Sequence, residues 1–265
     1  MQIYIPTRGR SGNQVTLEHL PKSLYKYVTF VVDSSENFVH KQYLNRVKVL
    51  TCPSTVDTIG KVRQYICDQH NIGRYGPKLL MLDDDLRFAA RRTDQQDKFR
   101  DVIAGEIETL IQTIDYVLDK HAHCGVLARE GGNRVTEQYK SNTRLLRALG
   151  YRVDVMREHS VRFDRLIVME DFDVALQLME LGYDNVAICD FVQDQGKSNA
   201  PGGCSAYRTL ERQAEGARGL KELHPAVVQT VIKTTKTAWN GATRTDVIVG
   251  WKKARASYKG EPRVL

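Results

Sequence analysis

Strand-like apolar runs alternate with helical stretches along most of this 265-residue chain, and that alternation constrains the fold more than any other feature. "IYIPT" (3–7) reads as a short strand that stops at Pro6, "YVTFVVD" (27–33) as a strand ending in an acid, and "RVKVLTC" (46–52) as a third. "KLLMLDDD" (78–85), "CGVLAR" (124–129) and "NVAICDFV" (185–192) continue the series. Between them, "VTLEHLPKSL" (15–24) is helical over its first half. "STVDTIGKVRQYICDQH" (54–70) spaces Val56, Ile59, Val62 and Ile66 as a helix does, with Ser54 or Thr55 as its cap. Long amphipathic helices are expected over 101–122 and 169–183. Alternation of this kind specifies an α/β fold with a mainly parallel sheet flanked by helices.

Ligands of such sheets bind beyond the carboxyl ends of the strands. Arg8, Asp33 and Asp83–Asp85 all fall just past strand ends, so one crevice should hold them. The three adjacent aspartates are the sharpest feature. A turn or a helix cap needs one Asp; three in a row repel one another. A hard divalent cation removes that cost, because Mg²⁺ or Mn²⁺ prefers carboxylate oxygens and keeps positions open for substrate phosphates. The later "MEDFD" (169–173) opens a helix with Glu170, Asp171 and Asp173. Acids there suit the exposed N–H groups and the helix dipole, so capping is the alternative to chemistry at that point.

Composition bounds the setting. The chain is 42% hydrophobic and 27% charged, as in a globular protein with one large domain. No stretch approaches the roughly 18 apolar residues of a membrane span, and "MQIYIPTRGR" has no long apolar signal core, so no membrane association and a cytoplasmic protein are expected. Five scattered cysteines without a C-x-x-C pair read as reduced thiols. Net charge is +7, and residues 207–265, with 12 Lys+Arg against 5 Asp+Glu, hold all of the surplus. A basic end with interleaved Trp239, Trp251 and Tyr258 is either a solvated surface with core aromatics or a surface for a polyanion such as DNA. The division expected is a core over 1–206 and a basic segment over 207–265 packed on it.

The order "IPTRGR", "TFVVD", "TIGKVRQ", strand into "DDD", then "MED" resembles the GT-A (Rossmann-like) glycosyltransferases over about residues 1–195. The resemblance implies a UDP-sugar or similar nucleotide-sugar donor and a Mn²⁺ or Mg²⁺ ion that bridges its phosphates. It implies that Asp83 and Asp85 are the metal-binding D-x-D pair with Asp84 between them. It puts Thr7, Arg8 and Arg10 on the nucleotide side and Asp33 at the base or ribose. Asp171 becomes the general base that takes the acceptor's proton in an inverting reaction, with Glu170 the next candidate. His224 falls where the resemblance puts a third metal ligand, with a structural histidine as the alternative. Lys61 and Arg63 are candidates for the diphosphate or for the surface, and Lys197, Asn199, Gly202 and Gly203 belong to a loop that either closes over the donor or is plain surface.

More narrowly, a compact GT-A chain with a basic end is similar to the phage nucleobase glycosyltransferases associated with TET/JBP oxygenases. That likeness implies a 5-hydroxymethylpyrimidine in DNA as acceptor, drawn out of the stack to reach the donor. A GT-A enzyme acting on a saccharide or protein, and a non-catalytic nucleic-acid-binding protein whose acids are caps, are the other readings. Sugar, acceptor base, inverting or retaining outcome and oligomeric state are not legible.

Overall fold

The computed structural model describes residues 1–10, 13–36, 43, 45–195, 207–234 and 241–265. The expected lid residues Lys197, Asn199, Gly202 and Gly203, and Trp239 and Cys204, lie outside the described residues. The strands are β1 (Gln2–Thr7), β2 (Val28–Asp33), β3 (Lys48–Cys52), β4 (Lys78–Leu82), β5 (Leu86–Arg91), β6 (Phe99–Asp101), β7 (His123–Ala128), β8 (Tyr139–Ser141), β9 (Ala148–Arg152), β10 (Asn185–Gln195), β11 (Val228–Thr234) and β12 (Thr243–Val249). The helices are α1 (Val15–His19), α2 (Ile59–Gln69), α3 (Ile72–Tyr75), α4 (Glu106–Val117), α5 (Arg129–Gly132), α6 (Val153–Glu158), α7 (Glu170–Glu180), α8 (Leu210–Leu223) and α9 (Trp251–Ser257).

One sheet runs in the order β3-β2-β1-β4-β9-β7-β10-β5-β6, with β8 paired to β10 as well. β3, β2, β1 and β4 are mutually parallel, and β10 is parallel to β7. The short strands β9, β5, β6 and β8 join antiparallel. β1, β2 and β4 are buried on both faces, which is why they are largely apolar runs rather than alternating ones, while the edge strand β3 is only partly covered. Ile3, Ile5, Phe30, Leu80 and Leu82 face one core with α1 and α4. Tyr4, Val31, Leu79 and Met81 face the other, with α2, α6 and α7.

Two expectations need correction. β1 does not stop at Pro6 but continues to Thr7, paired with β2. Pairing with β4 ends at Tyr4, so the proline sits where the strand has a single neighbour, a place that tolerates its missing N–H. The cap of α2 is Thr58, whose side chain accepts from the Lys61 N–H, and not Ser54 or Thr55. The apolar spacing began one turn too early because Val56 lies in the preceding turn.

The described residues of 207–265 build no core of their own. Ala217, Leu220, Val228, Val247 and Ala254 close a third cluster over Val168, Met169, Leu176 and Met179 from the start and length of α7. β11 and β12 form a separate antiparallel pair. Cys52, Cys67, Cys124 and Cys189 are buried free thiols. Among the described residues no helix is long and apolar enough to cross a membrane.

Candidate active site

The carboxyl ends of β1, β2, β3 and β4 deliver Thr7, Asp33, Cys52 and Asp83 to the wall of one cavity of about 540 Å³. Arg8, Arg10, Asp84, Asp85, Glu170 and Asp171 line it too. The opposite wall comes from residues 144–147 and from the C-terminal segment, including Tyr207, Lys233, Arg244 and Trp251.

The aspartates occupy the turn between β4 and β5, and α1 clips that turn. The Thr16 hydroxyl donates to the Asp83 carbonyl at 2.5 Å and accepts from the Leu86 N–H at 2.7 Å, while the Thr16 N–H donates to the Asp84 carbonyl at 3.1 Å. The turn then sorts the side chains. Asp84 is 6% exposed and held inside, accepting from the Thr7 hydroxyl at 2.7 Å and from Arg10. Asp83 and Asp85 are 30% and 23% exposed. Arg10 also donates to Asp85 at 2.8 Å, and Arg63 donates to Asp83 at 2.9 Å. Burial pushes the Asp84 carboxyl up to about 6, against the pull of Arg10 and Thr7. It raises Asp83 as well, against Arg63.

This arrangement fits a divalent cation. Two outward carboxylates flank a middle one that is bonded into the fold, so Asp83 and Asp85 are the oxygen donors on offer. Among the described residues no group of three or more His, Cys, Asp and Glu forms a cage. A partial donor set is what Mg²⁺ or Mn²⁺ uses when phosphates and water complete its shell.

Arg63 connects the two acidic motifs. It lies on α2, is 5% exposed, and donates to Glu170 at 2.6 Å while its other terminal nitrogen reaches Asp83. Burial opposes its charge, but Glu170, Asp83 and Asp171 outweigh burial and raise its pKa. Burial raises the Glu170 carboxyl, with Arg63 opposing. The contact requires α2 and α7 to approach closely. Gly60 permits it, since a Cβ there would stand 2.7 Å from the Phe163 carbonyl oxygen and 3.4 Å from the Glu170 Cβ. Met169, just before α7, takes φ 69°, and Arg147, whose carbonyl accepts from the Asp83 N–H at 3.0 Å, takes φ 67°. Both line the cavity. Left-handed non-glycine residues cost about 1–3 kcal/mol each and collect at functional sites.

Glu170 and Asp171 therefore differ. Glu170 is clamped inside. Asp171 is half-buried, lines the cavity, accepts from the Phe172 N–H at 3.0 Å, and makes no ion pair with a cation among the described residues. Asp33 is held at the end of β2 by the Ser35 N–H (2.8 Å) and hydroxyl (2.6 Å), which lower its pKa. Arg8 is largely exposed and donates to the Asp57 carbonyl at 2.8 Å.

Two sequence-derived candidates are not brought to the aspartates. Lys61 does not line the cavity; it pairs with Asp57 at 2.7 Å on the exposed side of α2, and Arg63, two residues on, points inward instead. His224 is 2% exposed, away from the cavity wall, with its nitrogens bonded to Asp173 and Glu180 at 2.8 Å each. Both nitrogens being taken, it has no lone pair for a metal. The sequence reading missed Arg144, Arg147 and Phe172. No motif marks the two arginines, which lie within the short stretch between β8 and β9.

A crevice beyond parallel strand ends, lined by paired acids and arginines, marks an α/β protein built to hold a charged ligand. Residues 1–203 match the family described as TET-associated glycosyltransferase, and the chain belongs to that family. It is, by that membership, a glycosyltransferase. It is 25% identical over 222 residues to the beta-glucosyl-HMC-alpha-glucosyl-transferase of Enterobacteria phage T6, covering 79% of this chain and 76% of the relative. The same identity and coverage hold for the phage T2 protein of that name. Among solved structures, GalNAc-T7 with UDP, GalNAc and Mn²⁺ aligns with a TM-score of 0.47 and 9% identity, over 73% of this chain and 42% of that one. Mannose-1-phosphate geranyltransferase from Thermus thermophilus aligns with a TM-score of 0.45 and 13% identity, over 73% and 75%.

Proposed function

We propose that the protein transfers a sugar from a nucleotide-diphosphate sugar to a hydroxyl on a 5-hydroxymethylpyrimidine of phage DNA. The family match over residues 1–203 supports this reading, together with the cavity shared by Asp83, Asp85 and Asp171. Asp83 and Asp85 would hold Mn²⁺ or Mg²⁺, which supplies charge neutralisation to the diphosphate leaving group. Asp33, at the end of β2, and Arg8, just past β1, serve the nucleoside. Asp171, the acid of the "MED" run whose carboxylate is not tied to a cation, takes the proton from the attacking hydroxyl. Arg63 and Glu170 are positioning residues that fix the base relative to the aspartates. DNA is the partner, and the setting is the cytoplasm of the phage's host.

The names of the phage relatives favour a second reading. They describe an alpha-glucosyl transfer to beta-glucosyl-HMC, an acceptor whose hydroxyl is on a sugar already attached to hydroxymethylcytosine. A UDP-glucose donor is itself alpha-linked, so an alpha product means retention, and a retaining reaction does not use Asp171 as a base. The test offers UDP-glucose and Mn²⁺ with three duplexes, carrying cytosine, hydroxymethylcytosine or beta-glucosyl-hydroxymethylcytosine. Digestion and mass spectrometry read the added hexose, and proton NMR of the released nucleoside reads its anomeric configuration. Hexose on the hydroxymethyl group in beta linkage supports the first reading. Alpha linkage to the existing glucose supports the second, and no hexose on any duplex rejects both.

A further inference from the structure

Two elements that line the candidate active site continue into a second cavity of about 650 Å³. Trp251, at the start of α9, faces the first cavity, while Lys252, Arg255 and Ala256 of the same helix face the second. Arg144 and Arg147 face the first, while residues 139–142, just upstream, face the second. Asn142, at the joint, takes φ 51°. The two cavities therefore share one wall.

The charge of the second cavity is one-sided. Arg134, Lys140, Lys252 and Arg255 line it, against Glu137 as its acid. Asp184 neutralises Arg255 at 3.1 Å. Arg134, Lys140 and Lys252 make no ion pair among the described residues. Three unneutralised cations round one groove repel each other, and a row of phosphates relieves that repulsion. Tyr139 is 40% exposed beside them. At the shared wall Arg144 lies 4.6 Å from the centre of the Phe172 ring, and Phe172 lies 5.4 Å from Trp251. Phe172 directly follows Asp171, so this cluster of a cation and two tilted rings is adjacent to the candidate base.

We propose that the second cavity carries the phosphodiester backbone of the acceptor strand, and that the Arg144–Phe172–Trp251 cluster receives the acceptor base where the strand enters the active site. This rests on the reading that the acceptor is DNA. The basic C-terminal segment is then only half of the surface. Arg134 and Lys140 come from the part of the chain that is neutral overall, and Lys253, bonded to the Ala226 carbonyl at 2.9 Å, does not line the groove.

The test is fluorescence anisotropy of the full chain on an unmodified labelled duplex across a salt series. Each phosphate contact contributes about 0.9 to the slope of log affinity against log salt. R134Q/K140Q/K252Q should lower that slope by about 2 to 3. K22Q/K26Q/K48Q, removing the same charge from the far edge of the sheet and the turn before β2, should leave it unchanged. Single K140Q and K252Q variants, each expected to lose about one phosphate's share, carry the test if the triple variant does not fold. A slope equal to wild type in the groove variants, an equal loss in the control, or no binding by wild type overturns the proposal. Hexose transfer is measured separately. Transfer to hydroxymethylated DNA with an unchanged slope rejects the groove and keeps the function. Groove-dependent binding without transfer does the reverse.

Discussion

At the residue scale, the division of labour among five carboxylates is the main result. Asp84 and Glu170 are buried and held by Thr7, Arg10 and Arg63; Asp83 and Asp85, each paired with one of those arginines but more exposed, and Asp171 face the cavity. The sequence made all five visible, as acids crowded at a strand end and at a helix start. It could not sort them, since the partner that clamps Glu170 is 107 residues away in the chain. Asp85→Asn and Asp83→Asn are each expected to weaken Mn²⁺-dependent binding of UDP about tenfold or more in calorimetry, since each removes one of the two outward carboxylates. Unchanged affinity in both would remove the metal from these residues. Arg63→Met strands a buried carboxylate and should cost about 3–5 kcal/mol in denaturant unfolding. Arg63→Met with Glu170→Leu should regain most of that stability and none of the transfer activity. If the double variant is no more stable than the single one, the clamp is not the source of the cost.

At the element scale, uninterrupted runs were legible and short or broken strands were not. β1, β2, β4, β7 and most of β10 are buried on both faces and read directly as apolar runs. β8 is exposed at all three residues, and β9 is a five-residue strand interrupted by Gly150, so neither carries a pattern to read. The helix after "MED" was legible, but the joint it makes with α8 was not. There His224, at the end of α8, bridges Asp173 and Glu180 of α7. Burial disfavours its charge, yet the bonds to the two acids prevail and raise its pKa. A histidine raised above its unfolded value of about 6.5 stabilises fully below that pH, and the contribution is lost as pH rises through the folded value. His224→Gln should therefore cost about 1.5–3 kcal/mol near pH 6 and less near pH 9. Equal losses at both pH values would mean that the imidazole is neutral throughout. Gly60→Ala, forcing α2 away from Phe163 and Glu170, should destabilise by about 1–3 kcal/mol through overpacking.

At the scale of the molecule, charge and packing divide the chain differently. Positive charge is concentrated after residue 206, but the apolar contacts of that segment continue the core under α7. Deleting 207–265 would bare Val168, Met169, Leu176 and Met179 and take Tyr207, Lys233, Arg244 and Trp251 out of the cavity wall. The shortened chain is expected to aggregate or to lose cooperative unfolding, so loss of DNA binding by truncation would say nothing about the basic surface. The most direct test of the central claim, transfer from a nucleotide-sugar to modified DNA by acids gathered in one cavity, is UDP release from UDP-glucose in Mn²⁺ with and without hydroxymethylated duplex. The wild type is expected to need metal and modified DNA together, and Asp171→Asn to bind UDP normally while losing about 100-fold or more in the DNA-dependent rate. A rate indifferent to the modified DNA, or an Asp171→Asn protein as fast as wild type, would contradict it.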